Sequence, residues 1–208
     1  MAMILIGLAG QSCAGKNEAG RILERLGWHV IDADAISRSI FALHEAEILN
    51  LFKGDANIYR SNLENADGSL NKKNLSSLLF SNPHLLAKME DFVLPKIVAE
   101  IERIIVYKSE ENPNIKIALN APTLHKTKFL HSVSYIIYLK ANPFVRFYRA
   151  IKRDGWHPIN ILKRFCAQRS FQFQYMARIS DILLVVNNLS VEQLEKRIQI
   201  ALKSVDFL

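Results

Sequence analysis

Apolar residues along this chain come in two patterns. Short runs, apolar but for Lys116 and Ser134, occur at Met3 to Ala9 (MILIGLA), within WHVIDAD (28–34), and at IKIAL (115–119), VSYIIYL (133–139) and ILLVV (182–186). Runs of this length without polar alternation predict strands covered on both faces, and therefore parallel ones. Elsewhere the apolar positions recur every three or four residues. Residues 16–26 place Ala19, Ile22, Leu23 and Leu26 on one helical face, and Gly27 can stop that helix in a left-handed conformation. Five strands interleaved with helices predict an α/β fold, a five-stranded parallel sheet with helices on both faces.

The stretch 35–108 is helical in pattern and reads as an insertion, with breaks expected near Gly54 and at Asp67-Gly68. After it passes Ser81, Asn82 and Pro83, where Ser81 or Asn82 can cap and Pro83 can open a helix, an amphipathic segment runs towards Tyr107. Pro95 is expected to kink or divide it. Between the last two strands lie a helix, a break at Asp154-Gly155 and a second helix. Ser190 and Gln193 then stand in capping-box positions before a final helix.

Half of the 208 residues are hydrophobic, enough for one substantial core. Lys and Arg outnumber Asp and Glu by 27 to 20, a formal charge of +7 that fits anionic partners without choosing among them. Because the basic residues are scattered over amphipathic helices, no nucleic-acid partner is expected. The two cysteines, Cys13 and Cys166, have neither disulfide-framework nor metal-ligand spacing, which favours a reducing compartment. No apolar run is long enough to span a bilayer, so a cytoplasmic protein without a membrane partner is expected. The six histidines show no metal-ligand spacing; His125 alone falls in a loop where a site is expected, and Trp28 and Trp156 read as packing residues.

The chemistry concentrates after the first strand. GLAGQSCAGKN (7–17) sets Gly10 four residues before Gly15-Lys16, the spacing of a loop whose amides cradle phosphates while its lysine reaches the β and γ oxygens. Asn17 stands where such loops supply a hydroxyl for magnesium. Cys13, near a helix N-terminus, could be an oxidisable thiol but reads more simply as a small residue fitting the loop. Asp32 and Asp34 end the second strand, at the mouth where ligands gather. One could take the proton of an attacking hydroxyl and the other orient magnesium-bound water, and either could also cap a helix. Arg146, Arg149, Arg153 and Arg164 fall near the paired helices. Arg149 and Arg153 share a face at i, i+4 and are the better candidates for stabilising a transferring phosphoryl group as a lid closes.

In order along the chain, GLAGQSCAGK, VIDADAISR, DGSLNKKNLSSLLFSNP, YRAIKRD, ILKRFCAQRS and SDILLVVNN make the sequence resemble the dephospho-coenzyme A kinase family of P-loop kinases over nearly its whole length. The resemblance implies ATP-dependent phosphorylation of the ribose 3′-hydroxyl of dephospho-coenzyme A, with ATP as co-substrate and Mg2+ as cofactor. It implies a nucleotide-binding core (1–34, 109–140 and 177–208), a helical acceptor-binding domain (35–108) and a helical lid (141–176). Carried onto this sequence, Gly10, Gln11, Ser12, Cys13, Ala14, Gly15, Lys16 and Asn17 bind the phosphates, and Asp34 accepts the proton. Asp32, Asp34 and Arg38 hold the acceptor, and Arg149 and Arg153 act from the lid. The sequence departs from the family pattern in several places. Gln11 and Cys13 replace loop glycines, Asn17 replaces the hydroxyl, Leu94 stands for a histidine before Pro95, and Lys126 stands where a carboxylate is expected. These departures keep open a nucleotide-binding protein with weak or lost activity, and the loop and lid alone would also suit a small-molecule kinase with another acceptor.

Overall fold

The structure, a computed structural model, describes residues 3–121, 128–154, 158–167 and 181–207, the side chains at 128, 130, 153, 154, 160, 163, 164 and 167 excepted. Five strands appear where the apolar runs predicted them: β1 (Ile4–Gly10), β2 (His29–Asp32), β3 (Lys116–Asn120), β4 (Tyr135–Lys140) and β5 (Ile182–Val186). They form one wholly parallel sheet in the order β2-β3-β1-β4-β5. The central strand β1 is buried from Leu5 to Gly10, as its unbroken apolar sequence requires. Its neighbours are β3 and β4, so strand order reverses about β1 and its carboxyl end opens at the switch point where α/β sheets bind ligands.

Eight α-helices are described: α1 (Lys16–Arg25), α2 (Ala33–Leu43), α3 (Glu45–Ile58), α4 (Lys72–Ser81), α5 (Pro83–Glu111), α6 (Pro143–Asp154), α7 (Pro158–Ala167) and α8 (Val191–Lys203). Among them no helix is long and apolar enough to cross a membrane. The chain divides into two compact units, residues 1–33 with 105–208, and residues 34–104. In the first, Ile6 and Leu8 of β1 pack with Ile22 and Leu23 of α1, Ile137 and Leu139 of β4, and Ile198 and Leu202 of α8. Burying each such side chain contributes about 1.5–3 kcal/mol. Trp28 joins this core, as expected of a packing residue. In the second unit Ile48 and Phe52 of α3 pack with Leu75, Leu78 and Leu79 of α4 and with Leu85 and Met89 of α5.

Several local expectations need correction. The second strand stops at Asp32, and α2 starts at Ala33, so Asp34 sits in a helix's first turn rather than at a strand end. Gly54 does not break the chain; α3 runs through it, because Ile48, Phe52 and Ala56 bury the inward face on both sides and outweigh a glycine penalty of about 1 kcal/mol. Pro95 does not divide α5, which continues from Pro83 to Glu111 with Met89, Ile97 and Ile101 buried before and after it. Asn82 does not cap α5 with its side chain, since its amide donates back to Leu78 O of α4 at 2.8 Å. The Asp67-Gly68 turn and the Ser190 cap on Gln193 N are both present.

Candidate active site

Between β1 and α1 the backbone turns sharply through residues whose conformations explain the composition. Gly10 has φ 147°, and a Cβ there would stand 2.5 Å from Leu139 O. Gly15 has φ 102°, and a Cβ would meet Asn187 Nδ2 at 2.1 Å. A side chain at Gly10 would have to displace the backbone of β4, and one at Gly15 the side chain of Asn187. Cys13 also adopts a left-handed conformation, φ 60°, in a position where a glycine would be unstrained; for a residue with a Cβ that costs about 1–2 kcal/mol. Its thiol is half-buried, 3.7 Å from Ser12 Oγ.

The loop is held from outside by two buried polar side chains. Arg146 of α6, 4% exposed, donates from Nε to Ser12 O at 2.9 Å and from Nη1 to Gln11 Oε1 at 2.6 Å. Asn187, just past β5 and 5% exposed, donates from Nδ2 to Ala14 O at 2.8 Å. Arg149 in turn donates to Asn187 O at 3.1 Å and to its Oδ1 at 3.5 Å. A trans peptide points its C=O and N–H in opposite directions. Anchoring the carbonyls of Ser12 and Ala14 therefore turns the Cys13 and Gly15 amides away from those anchors, two donors backed by the N-terminus of α1, while the Ala14 N–H between them donates to Gln11 O at 3.1 Å.

Lys16 opens α1 and its Nζ donates to Gly10 O at 2.9 Å and Gln11 O at 3.5 Å, so the ammonium lies across the loop. A cleft of about 320 Å³ is bounded by Cys13, Gly15, Lys16, Asn17, Glu18, Arg21 and Arg149. A larger groove, about 530 Å³, runs along β5 and α8 and contains none of the candidate site residues named from sequence. Asn17 Oδ1 accepts from Asn120 Nδ2 at 3.4 Å. Asn120 ends β3, is 4% exposed, and pairs in register with Asp32 at the end of β2. Its own Oδ1 is buried with no hydrogen-bond partner.

The structure thus brings Gly10 to Asn17 together with Arg149 at the carboxyl end of β1, with Asp32 two strands away at the end of β2. Asp34 and Arg38 belong to the other unit, where they stand four residues apart on α2 and share a face. Leu94 is half-buried within α5. The side chains of Arg153 and Arg164, and the residues His125, Lys126 and Trp156, lie outside the described residues. Sequence reasoning missed Asn120 and Asn187. Both immediately end or follow an apolar strand run, which is the signal that could have found them.

Tyr138 of β4 is 2% exposed, and burial pushes its phenol up to about 12, with Arg146 opposing the shift. The folded pKa exceeds the ordinary value of 10.0, so the neutral phenol's contribution to stability is complete below pH 10 and is lost as pH rises towards 12. Urea unfolding across that range should show a falling midpoint. Tyr138→Phe should flatten the fall, and an unchanged slope in the variant would assign it to other groups.

A glycine-bounded loop between a central parallel strand and a helix, crossed by a lysine and set at a switch point, defines a phosphate-binding-loop protein of the kinase type. The sequence model of the family described as dephospho-CoA kinase matches residues 4–193. A dephospho-CoA kinase from Treponema denticola is 44% identical over 195 residues, spanning 94% of this chain and 87% of the relative. One from Treponema pallidum is 37% identical over 194 residues, spanning 93% and 92%. The chain belongs to the dephospho-CoA kinase family, a family of phosphotransferases. Two solved structures share its fold. A Thermus thermophilus protein superposes with a TM-score of 0.77 at 23% identity over 99% of both chains. A dephospho-CoA kinase from Campylobacter jejuni superposes with a TM-score of 0.67 at 18% identity over 98% and 96%.

Proposed function

We propose that this protein transfers the γ-phosphate of ATP to the ribose 3′-hydroxyl of dephospho-coenzyme A, the final step of coenzyme A synthesis. The observation that carries this reading is the loop itself. Its Cys13 and Gly15 amides are turned by buried anchors, and Lys16 lies across it, in a chain of this family. Phosphoryl transfer asks a protein mainly for positioning and charge. In this reading Gly10 to Asn17 hold the phosphates, and Lys16 and Arg149 offset charge on the transferring group. Arg153 assists from α6, Asp32 and Arg38 hold the acceptor, and Asp34 takes the proton of the 3′-hydroxyl.

The oxygen donors beside the loop suit Mg2+, a hard cation that keeps most of its waters and uses one or two carboxylates. Asn17 offers a neutral amide oxygen and Asp32 a carboxylate. Between them Asn120 Oδ1 is a buried acceptor without a protein partner, suited to a metal-bound water. Among the described residues no cluster of three or more His, Cys, Asp or Glu is placed to hold a metal without the nucleotide. Asn17 and Asp32 are the groups that would hold the ion, which when bound offsets phosphate charge.

The test is a mass-resolved assay with ATP, magnesium and a panel of hydroxyl acceptors. A 3′-phosphorylated product from dephospho-coenzyme A, absent with Lys16→Ala, is the expected result. Calorimetric ATP binding without any product would instead identify a nucleotide-binding protein that no longer turns over, and product from another acceptor alone would reassign the substrate.

Asn17 gives a second expectation. An amide oxygen is a bulkier metal ligand than a hydroxyl, and this one also accepts from Asn120. Asn17→Thr should lower the magnesium concentration for half-maximal ATP binding about 10-fold. Superimposable magnesium titrations of the two proteins, read by calorimetry, would remove Asn17 from metal binding.

A further inference from the structure

Gln11 is a departure from the glycines of the family's loop, and the structure gives it a partner. Its side-chain oxygen accepts from Nη1 of Arg146 at 2.6 Å, while Nε of the same guanidinium donates to Ser12 O at 2.9 Å. The Cζ of that guanidinium lies over the Phe165 ring on α7, 4.0 Å from its centroid. One planar, permanently charged group therefore touches two successive loop residues and a ring on a separate helix. The planar fork of arginine suits such a role because its donors are fixed relative to one another, so two bonds set an orientation and not only a distance.

We propose that Arg146 is a positioning residue for phosphate binding, which fixes Gln11 and the Ser12–Cys13 peptide from behind the loop and ties the loop to α7. The inference rests on the kinase reading and adds to it a residue that need not touch the nucleotide. With the Ser12 carbonyl held on Arg146, the Cys13 N–H points the opposite way. Cys13 needs that hold more than a glycine would, because φ 60° disfavours a residue with a Cβ and an unsupported loop could relax out of it. Gln11 and Arg146 together supply what the missing glycines would have given without a partner. The contact with Phe165 means that displacement of α7 is felt at the loop.

The experiment measures ADP binding by calorimetry, Michaelis constants for both substrates, and hydrogen exchange of residues 11–16 and of β1 and β4. Arg146→Met should weaken ADP binding and raise KM for ATP about 10- to 100-fold, as expected for lost bonds to a charged donor. KM for dephospho-coenzyme A should stay unchanged, and exchange should quicken in the loop but not in β1 or β4. Gln11→Ala should weaken ADP binding about 3-fold alone and add nothing in the Arg146→Met background, the mark of a shared interaction. Arg146→Lys keeps the charge but not the fork and should recover little. Wild-type ADP affinity in folded Arg146→Met, additive losses in the double variant, or full recovery with lysine would each overturn the proposal. Should Arg146→Met fail to fold, Gln11→Ala decides: a change below about 2-fold overturns the proposal and the expected loss supports it. If the wild-type protein itself binds no ADP, the kinase reading falls and takes this inference with it; binding that the variants match sinks this inference alone.

Discussion

Lys16→Ala is expected to lower kcat/KM for ATP about 1,000-fold while leaving the protein folded. Lys16 is only half-buried at the first position of α1, and its ammonium engages the carbonyls of Gly10 and Gln11. Lys16 is not part of the buried core, so the thermal midpoint should move little on truncation. The effect on rate is large for a different reason. The transferring phosphoryl group spreads charge over its oxygens, and a fixed cation in a partly desolvated cleft acts on that charge more strongly than water does. Lys16→Met, which keeps most of the aliphatic stem, should be as impaired as alanine, because the loss lies in the charge. Initial rates by mass-resolved product, with thermal unfolding of each variant, check both statements. A variant retaining more than about a tenth of wild-type kcat/KM would remove the ammonium from the mechanism.

The sheet was legible because buried parallel strands need continuous apolar runs, and all five runs became strands. The loop was legible for a similar reason: Gly10 and Gly15 are required by clashes with Leu139 O and Asn187 Nδ2, so their spacing in sequence records tertiary geometry. Gly54 and Pro95 misled because local propensity was weighed without the packing that overrides it; Phe52 and Ile48 hold α3 together regardless of the glycine between them and Ile58. The arginines are the more instructive case. Counting by i, i+4 on α6 favoured Arg149 and Arg153, yet Arg146 shares its face with Ala150, which is fully buried. An arginine on the inward side of a strongly amphipathic helix is a sequence signal for a buried anchor. Identifying what it anchors required knowing that α6 passes behind the loop. Asn120 and Asn187 escaped for the same reason, since their partners, Asn17 and Ala14, are remote in sequence.

Asp34→Asn should lower kcat about 100- to 10,000-fold and leave ATP affinity near that of the wild-type protein. Asp34 occupies the first turn of α2, where a carboxylate has two physical uses. It can interact with the positive end of the helix dipole, and it can take a proton from an attacking hydroxyl. The two uses separate under this isosteric substitution. Asparagine satisfies helix N-termini about as well as aspartate, so the structural use loses at most about 1 kcal/mol of charge–dipole attraction, seen as a small fall in thermal midpoint. The chemical use loses everything, because an amide cannot accept the proton at neutral pH. A residue that merely supports α2 would lower the midpoint and spare kcat, whereas a base would lose turnover with little change in midpoint. Calorimetric ATP affinity adds a third axis, since the phosphate loop lies on a different unit from Asp34. Turnover equal to wild type in Asp34→Asn would exclude this carboxylate as the base and pass the role to Asp32, whose own Asn variant should then show the loss.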